Sequence, residues 1–400
     1  MLNQAKNFSN ELIRLRRDIH RHPELSFQEN RTAKLVVETL GEIGGIDIKT
    51  GIGKTGVVGE MGTGNGPTIA IRADMDALPI QEISPIEYAS TNPGVMHACG
   101  HDAHTAMLLG VAHLLKKSFA SGKLSGKVRF LFQPAEENAD AEGISGASRM
   151  IEDGALKGVD AVIALHVLST LPSGTVSMRP GWISAAVDTF KAWITASGGH
   201  GAYPHQGTDP IWMMAPVLMA LHGIVSRRID PMKTAVVSLG QIHAGTTSNV
   251  IPNEVYIEGT LRSFESEVRE QLLHEVEQAL SVVRPLGGDF RTKIWHGYPA
   301  IWNNPTVTDW LHTVSSDLMG ADKVKDDILG MGAEDFAYMC QQVPGAMFLL
   351  GAAIPNEPKR NHHTNIFDID ENVLPIGTAI MAETARRFLA GELQLAPKDK

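Results

Sequence analysis

The segment TIAIRADMD, residues 68–76, decides how the rest of the chain is read: a largely apolar run, broken by Arg72, stops at two carboxylates, Asp74 and Asp76. The arrangement returns in KVRFLFQPAEE, residues 127–137, which leads to Glu136 and Glu137, and in AVIALH, residues 161–166, which ends on His166. Short, continuously apolar runs bounded by turn residues read as strands buried on both faces. Helical patterns lie between them, at 103–119 and 145–153, so the alternation predicts an α/β sheet with helices on its faces. In such sheets the ligand crevice lies beyond the carboxyl ends of the strands. The acidic and imidazole groups are therefore expected to meet in space.

Working outward, residues 1–17 read as one polar-flanked amphipathic helix, with helical patterns at 11–20 and 29–40. From residue 184 the pattern changes. A strand at 189–195, a helix at 211–227, strands at 235–241 and 254–264, a helix at 266–283 and a strand at 290–295 give the order β-α-β-β-α-β, the split unit of ferredoxin-like folds. This predicts an insertion at 184–299 between two parts of one catalytic domain, 1–183 and 300–400. The last part holds a helix at 307–319, an apolar run at 346–351 and a closing helix at 374–389. The polar tail 396–400 is expected to fray.

Composition narrows the function. With Lys+Arg 35 against Asp+Glu 45 the net charge is -10, and the charges are interspersed, so nucleic acid is not an expected partner. Two cysteines cannot build a disulfide framework or a cysteine-rich structural zinc site, which suits a reducing cytoplasm. No stretch approaches the roughly 20 apolar residues of a membrane span, and the N-terminal region lacks a signal-peptide core.

The densest chemistry is HACGHDAH, residues 97–104, where Cys99 and several imidazoles precede a helix. Thiolate with imidazole suits zinc, manganese, cobalt or nickel better than magnesium or calcium. The adjacent Glu136 and Glu137 offer one carboxylate for a cation and one for proton transfer, the two parts that metal-assisted hydrolysis requires. NHHTN, residues 361–365, adds two imidazoles late in the chain. Other chemistries read less well. Gly53-Lys54-Thr55 resembles the end of a phosphate loop, but Ile48 stands where that motif needs glycine. The glycines of residues 62–66 lack dinucleotide spacing and read as a turn. A Cys99–His101 nucleophile pair leaves Glu136, Glu137, His166 and His363 without a role.

Taken in order, RRDIHRHPELSFQE (16–29), IRADMDALPI (71–80), MHACGHDAHTAMLLG (96–110), FQPAEE (132–137), GGHGAYPH (198–205), TSNVIPNEVYIEGTLR (247–262), MGAEDF (331–336) and HHTNIFDIDENVLP (362–375) resemble the dinuclear metallopeptidase family. That family includes hippurate hydrolases, N-acyl-amino-acid amidohydrolases and hydrolases of indole-acetyl-amino-acid conjugates. The resemblance implies a catalytic domain holding two divalent cations, interrupted by a lid that also forms a homodimer. It implies Cys99, His101, Glu137, His166 and one imidazole of HHTNIF as ligands, with the spacing back from Phe367 favouring His363 over His362. Glu136 matches the general base, and Asp76 matches a buried acid behind the metals. Asp74 falls where a related branch has a histidine ligand, and is left outside the ligand set.

On the lid, the resemblance assigns His200 to the developing oxyanion, and Asn249 and Arg262 to substrate binding, with Arg262 gripping a carboxylate in a bidentate fork. The implied reaction is hydrolysis of an N-acyl amino acid, hippurate-like or N-acetylated, to a carboxylic acid and a free amino acid. Two other readings are a deacetylase of one N-acetyl-diamino acid intermediate and a metal-binding scaffold without turnover. Two departures stand out: HHTNIF replaces the family's usual histidine-serine-proline or histidine-asparagine-proline, and residues 138–143 are long and acidic.

Overall fold

The computed structural model describes residues 1–62, 64–122, 124–326 and 330–397. The chain divides into two compact units. One comprises Met1–Ile183 with residues 302–326 and 335–397, and the other Ser184–Ile301 with residues 330–334. Part of the turn expected at 62–66 and most of the tail expected to fray, residues 398–400, lie outside the described residues.

The first unit is built on an eight-stranded mixed sheet. From one edge its strands run Asp47–Ile52, Gly56–Gly62, Lys127–Gln133, Thr68–Asp74, Ala161–Pro172, Gly345–Ala353, Val176–Ser177 and Val324–Lys325. The central four are parallel, in a register that sets Asp74 opposite Gln133, and Leu349 opposite His166. Thr68–Asp74 is buried at every position, as expected of a strand covered on both faces. Helices Ser9–Arg21, His101–Phe119 and Leu374–Leu389 contribute Leu12, Leu108 and Ile380 to the core that also holds Ile71, Phe130, Ile163 and Phe348.

Two local expectations are corrected. The N-terminal helix is broken at Phe8, which leaves the helical region at ψ 5 and separates Leu2–Asn7 from Ser9–Arg21. The strand that begins at Ala161 does not stop at His166 but continues to Pro172, so this imidazole projects from within a strand.

The second unit is a four-stranded antiparallel sheet in the order Ala235–Ala244, Glu254–Ser263, Ala186–Thr195, Asp289–His296. Both central strands alternate strictly between buried and half-buried positions. One face is thereby apolar, and helices Pro210–Arg227 and Ser266–Ser281 close it over a core containing Phe190, Ile194, Leu221, Ile257 and Val276. The first of these helices starts where Asp209 accepts the N–H groups of Ile211 and Trp212. On the opposite face His243, Tyr256, Trp193 and Arg291 occupy one register row across the four strands, with the Arg291 guanidinium 3.8 Å from the Trp193 ring centre. Among the described residues no helix is long and apolar enough to cross a membrane.

Candidate metal centre

The parallel strands deliver the chemistry to one rim. Asp74 closes its strand, Asp76 follows two residues later, Glu136 and Glu137 come shortly after Gln133, and His166 stands opposite Leu349. The fourth contribution comes from Gly100, which caps helix His101–Phe119 at φ 96. A Cβ there would lie 2.3 Å from Val167 Cγ2, so glycine satisfies both the backbone conformation and the close approach that sets His101 at the first helical position.

Overlapping groups of ligand atoms result, each within 4.8 Å, among them Cys99, His101 and His166; Cys99, Glu137 and His363; His101, Glu136 and Glu137; and Asp74, His101 and His104. Every ligand named in the sequence is brought to this cluster, together with Glu136. Cys99 Sγ lies 3.4 Å from His166 Nε2, and His363 Nε2 lies 3.3 Å from Glu137 Oε1. His362 faces elsewhere. Its Nε2 is 3.0 Å from the Val167 carbonyl and its Nδ1 is 3.2 Å from Ser169 Oγ, so both ring nitrogens are occupied. The left-handed backbone of His363, φ 59, turns successive imidazoles in different directions.

The surroundings fix which nitrogen of each ring is free. His101 Nδ1 donates to the Asp76 carbonyl and to Asp76 Oδ1, while its buried Nε2 has no hydrogen-bond partner among the described residues. His166 Nδ1 donates to the Val167 carbonyl at 2.6 Å and turns Nε2 toward Cys99. Metal-binding histidines are characteristically held in this way. Burial alone would lower the His101 pKa, but Asp74, Asp76 and Glu137 push it up to about 10. The pocket therefore favours positive charge at this point. Burial, reinforced by Glu137, Glu136 and Asp74, holds the Cys99 thiol well above its ordinary range, the opposite of what a free cysteine nucleophile needs. A bare imidazole nitrogen, thiol, imidazoles and carboxylates within a few ångströms fit divalent cations.

Asp74 is engaged on both oxygens. Oδ1 accepts from His104 Nδ1 at 2.6 Å and Oδ2 from Arg72 Nη1 at 2.6 Å, with Oδ2 3.6 Å from His101 Nε2. His104 accepts the Val167 N–H at its other nitrogen, which ties the helix to the strand carrying His166. Arg72 also binds Asp335 and Gln133 beneath the rim. His104, Arg72, Asp335 and Glu29 were not singled out from the sequence, although each lies inside a motif quoted above. Their partners are up to 263 residues away, beyond the reach of local pattern.

The acidic segment after Glu137 is organised by Asp140. Its Oδ1 accepts the N–H groups of Glu142 and Ile144, and its Oδ2 receives Lys54 and Arg149. Lys54 is thus engaged in an ion pair with Asp140.

Within the second unit, His200 and Asn249 adjoin. His200 pairs with Val250 in a two-residue ribbon, and Gly201 N–H donates to the Asn249 carbonyl at 2.9 Å. Arg262 lies on another strand, half-buried, with Nη1 2.6 Å from Thr260 Oγ1 and no carboxylate ion pair among the described residues. Burial lowers its pKa.

The model of the peptidase family M20/M25/M40 matches residues 70–387. The chain is 41% identical over 393 residues to thermostable carboxypeptidase 2 of Saccharolobus solfataricus, covering 96% of this chain and 97% of that protein. It is 41% identical over 384 residues to N-acetyl-L-cysteine deacetylase of Bacillus subtilis, covering 95% and 88%. Among solved structures it is similar to the Bacillus subtilis YXEP protein, described as a dinuclear metal binding peptidase, with a TM-score of 0.82, 36% identity, and coverage of 96% of this chain and 99% of that one. Site and likeness together define a metal-dependent hydrolase acting on amide bonds. The chain belongs to peptidase family M20/M25/M40.

Proposed function

We propose that this enzyme hydrolyses N-acyl amino acids, and that Cys99, His101, Glu137, His166 and His363 hold two divalent cations at the strand-end cluster. The observation that carries this reading is the buried Nε2 of His101, which has no hydrogen-bond partner among the described residues, on an imidazole grouped with Cys99 and His166 and with Glu136 and Glu137, while His363 joins Cys99 and Glu137. Zinc, manganese, cobalt and nickel all suit this donor set. When bound, the cations lower the pKa of water and polarise the substrate carbonyl.

The remaining work belongs to side chains. Glu136, buried beside His101 and Glu137, accepts the proton of the attacking water and returns it to the departing nitrogen. Asp76 orients His101 from behind. His200 stabilises the oxyanion, Asn249 binds the substrate amide, and Arg262 grips the α-carboxylate of the amino-acid product. A carboxypeptidase and an N-acetyl-L-cysteine deacetylase, as named, each release a free amino acid from an amide, which supports a carboxylate-bearing leaving group.

The element order of the second unit supports a ferredoxin-like lid, inserted between two parts of a catalytic domain and forming a homodimer. Its strand Ala235–Ala244 is a sheet edge, and Trp212 and Met219 of the neighbouring helix are 57% and 78% exposed. The chain carries two cysteines, too few for a disulfide framework, which agrees with a cytoplasmic setting.

Hydrolysis of hippurate and a series of N-acetyl amino acids, assayed with and without a chelator, tests the reading. Chelator-sensitive release of free amino acids supports it. Absence of turnover from a metal-loaded protein would favour a scaffold.

A further inference from the structure

Glu29 has no part in the chemistry proposed above, yet its side chain is wholly buried and bonds Ala135, the residue immediately before Glu136. Its Oε1 accepts the N–H of Ala135 at 2.9 Å and the N–H of Phe27 at 2.9 Å, and its Oε2 accepts the Thr55 hydroxyl at 2.5 Å. Glu29 stands at the N-cap of helix Asn30–Ile43, where a carboxylate ordinarily accepts the helix's own N–H groups. It makes no such bond. Glu24 takes that role instead, accepting from the N–H groups of Arg31 and Thr32.

The two residues whose backbone N–H groups Glu29 accepts share one property. Ala135 has φ 47 and Phe27 has φ 61, left-handed conformations that L-residues disfavour. Ala135 immediately precedes the carboxylate pair. Its carbonyl accepts from Gly146 N–H at 3.0 Å, and two residues further on Glu137 N–H donates to Asp76 Oδ2 at 3.0 Å. Asp76 Oδ2 is itself held by Ser26, from the same loop as Phe27. The turn joining strand Lys127–Gln133 to Glu136 and Glu137 is thus clamped at three points, and Glu29 secures the one with strained backbone.

We propose that Glu29 is a positioning residue for Glu136 and Glu137: by accepting the Ala135 N–H it holds that residue in the left-handed conformation that aims both carboxylates into the cluster. The proposal rests on the reading of Glu136 as proton carrier and Glu137 as ligand. A carboxylate is suited to the task because one oxygen accepts two backbone N–H groups while the other anchors on Thr55.

The experiment compares Glu29→Ala, Glu29→Gln, Glu29→Ala with Ala135→Gly, and Glu136→Gln, using N-acetyl-L-methionine and hippurate as probes. Hydrogen exchange of the segment 133–137 is measured in metal-free protein. Misaiming reacting groups costs about 10²-fold in kcat, so Glu29→Ala should lose about that much with KM changed by no more than about twofold, and should speed exchange in this segment selectively. Glu29→Gln keeps an acceptor oxygen and should retain most of the rate. Glycine adopts φ 47 without help, so Ala135→Gly should restore at least about tenfold to the Glu29→Ala enzyme. Wild-type kcat and unchanged exchange in Glu29→Ala would overturn the proposal. If that variant does not fold, Glu29→Asp, shorter by one methylene, carries the same comparison. An active Glu136→Gln would instead overturn the reading of the base, and local exchange would still decide the role of Glu29.

Discussion

His101 Nδ1 lies 3.1 Å from Asp76 Oδ1, and this contact holds the ring so that Nε2, without a hydrogen-bond partner among the described residues, is turned into the cluster. Because a carboxylate of this kind both orients the ring and raises its basicity, Asp76→Ala should weaken metal affinity by about 10- to 100-fold. Calorimetric titration with manganese or zinc measures it. Unchanged affinity would remove Asp76 from the support of the site.

Glu136→Gln keeps shape but cannot carry a proton. Turnover should fall by about 10²- to 10⁴-fold while metal content, read by elemental analysis, stays at the wild-type level. Undiminished turnover would refute the assignment of the base.

The neighbouring histidines separate cleanly. His363→Ala should lower metal content and activity together, because His363 faces Glu137. His362→Ala should keep its metal, because His362 is spent on Val167 and Ser169. The reverse outcome would exchange their roles. Cys99→Ser should behave like the His363 variant, and full metal content without activity would instead revive the nucleophile reading.

Arg262→Ala should raise KM for N-acetyl amino acids and leave the corresponding amino-acid amides nearly unaffected, since only the former present a carboxylate. Losing a charged hydrogen-bonding partner of this kind costs about 10- to 100-fold in affinity. Equal losses on both substrate types would assign Arg262 to structure.

A second buried network makes stability pH-dependent. Burial alone would lower the His20 pKa, but Asp102, at 2.8 Å, and Glu82 outweigh it and push it up to about 9. The folded value exceeds the unfolded one, near 6.5, so the stabilisation is complete below that value and is lost as pH rises through about 9. The size is on the order of 3 kcal/mol. In urea unfolding, the gap between wild type and His20→Gln should be wide near pH 6 and narrow near pH 10. A gap that does not change with pH would show that His20 is not charged in the folded state.

The strands that carry the site were legible because burial on both faces writes itself as a continuous apolar run, as at Ile69–Ile71 and Phe130–Phe132. The edge hairpin Asp47–Ile52 and Gly56–Gly62 was not: its outer strand is exposed or half-buried at every position and reads as polar loop. Two-residue strands such as Val176–Ser177 and Val324–Lys325 are too short for any period to register. At the site, the types and rough location of the donors could be read from strand ends. The engagement of His362 by the Val167 carbonyl spans 195 residues, and the duty proposed for Glu29 spans the 106 residues to Ala135. Neither distance leaves a mark on local sequence.

Buried Arg16 ties the N-terminal region to both Asp102, next to His101, and Asp368 and Glu371 near the other end of the chain. During synthesis the ribosome must therefore release almost the entire polypeptide before this guanidinium has all three of its counter-ions. A chain cut short ahead of Asp368 would leave this buried guanidinium with Asp102 alone of its three carboxylate partners.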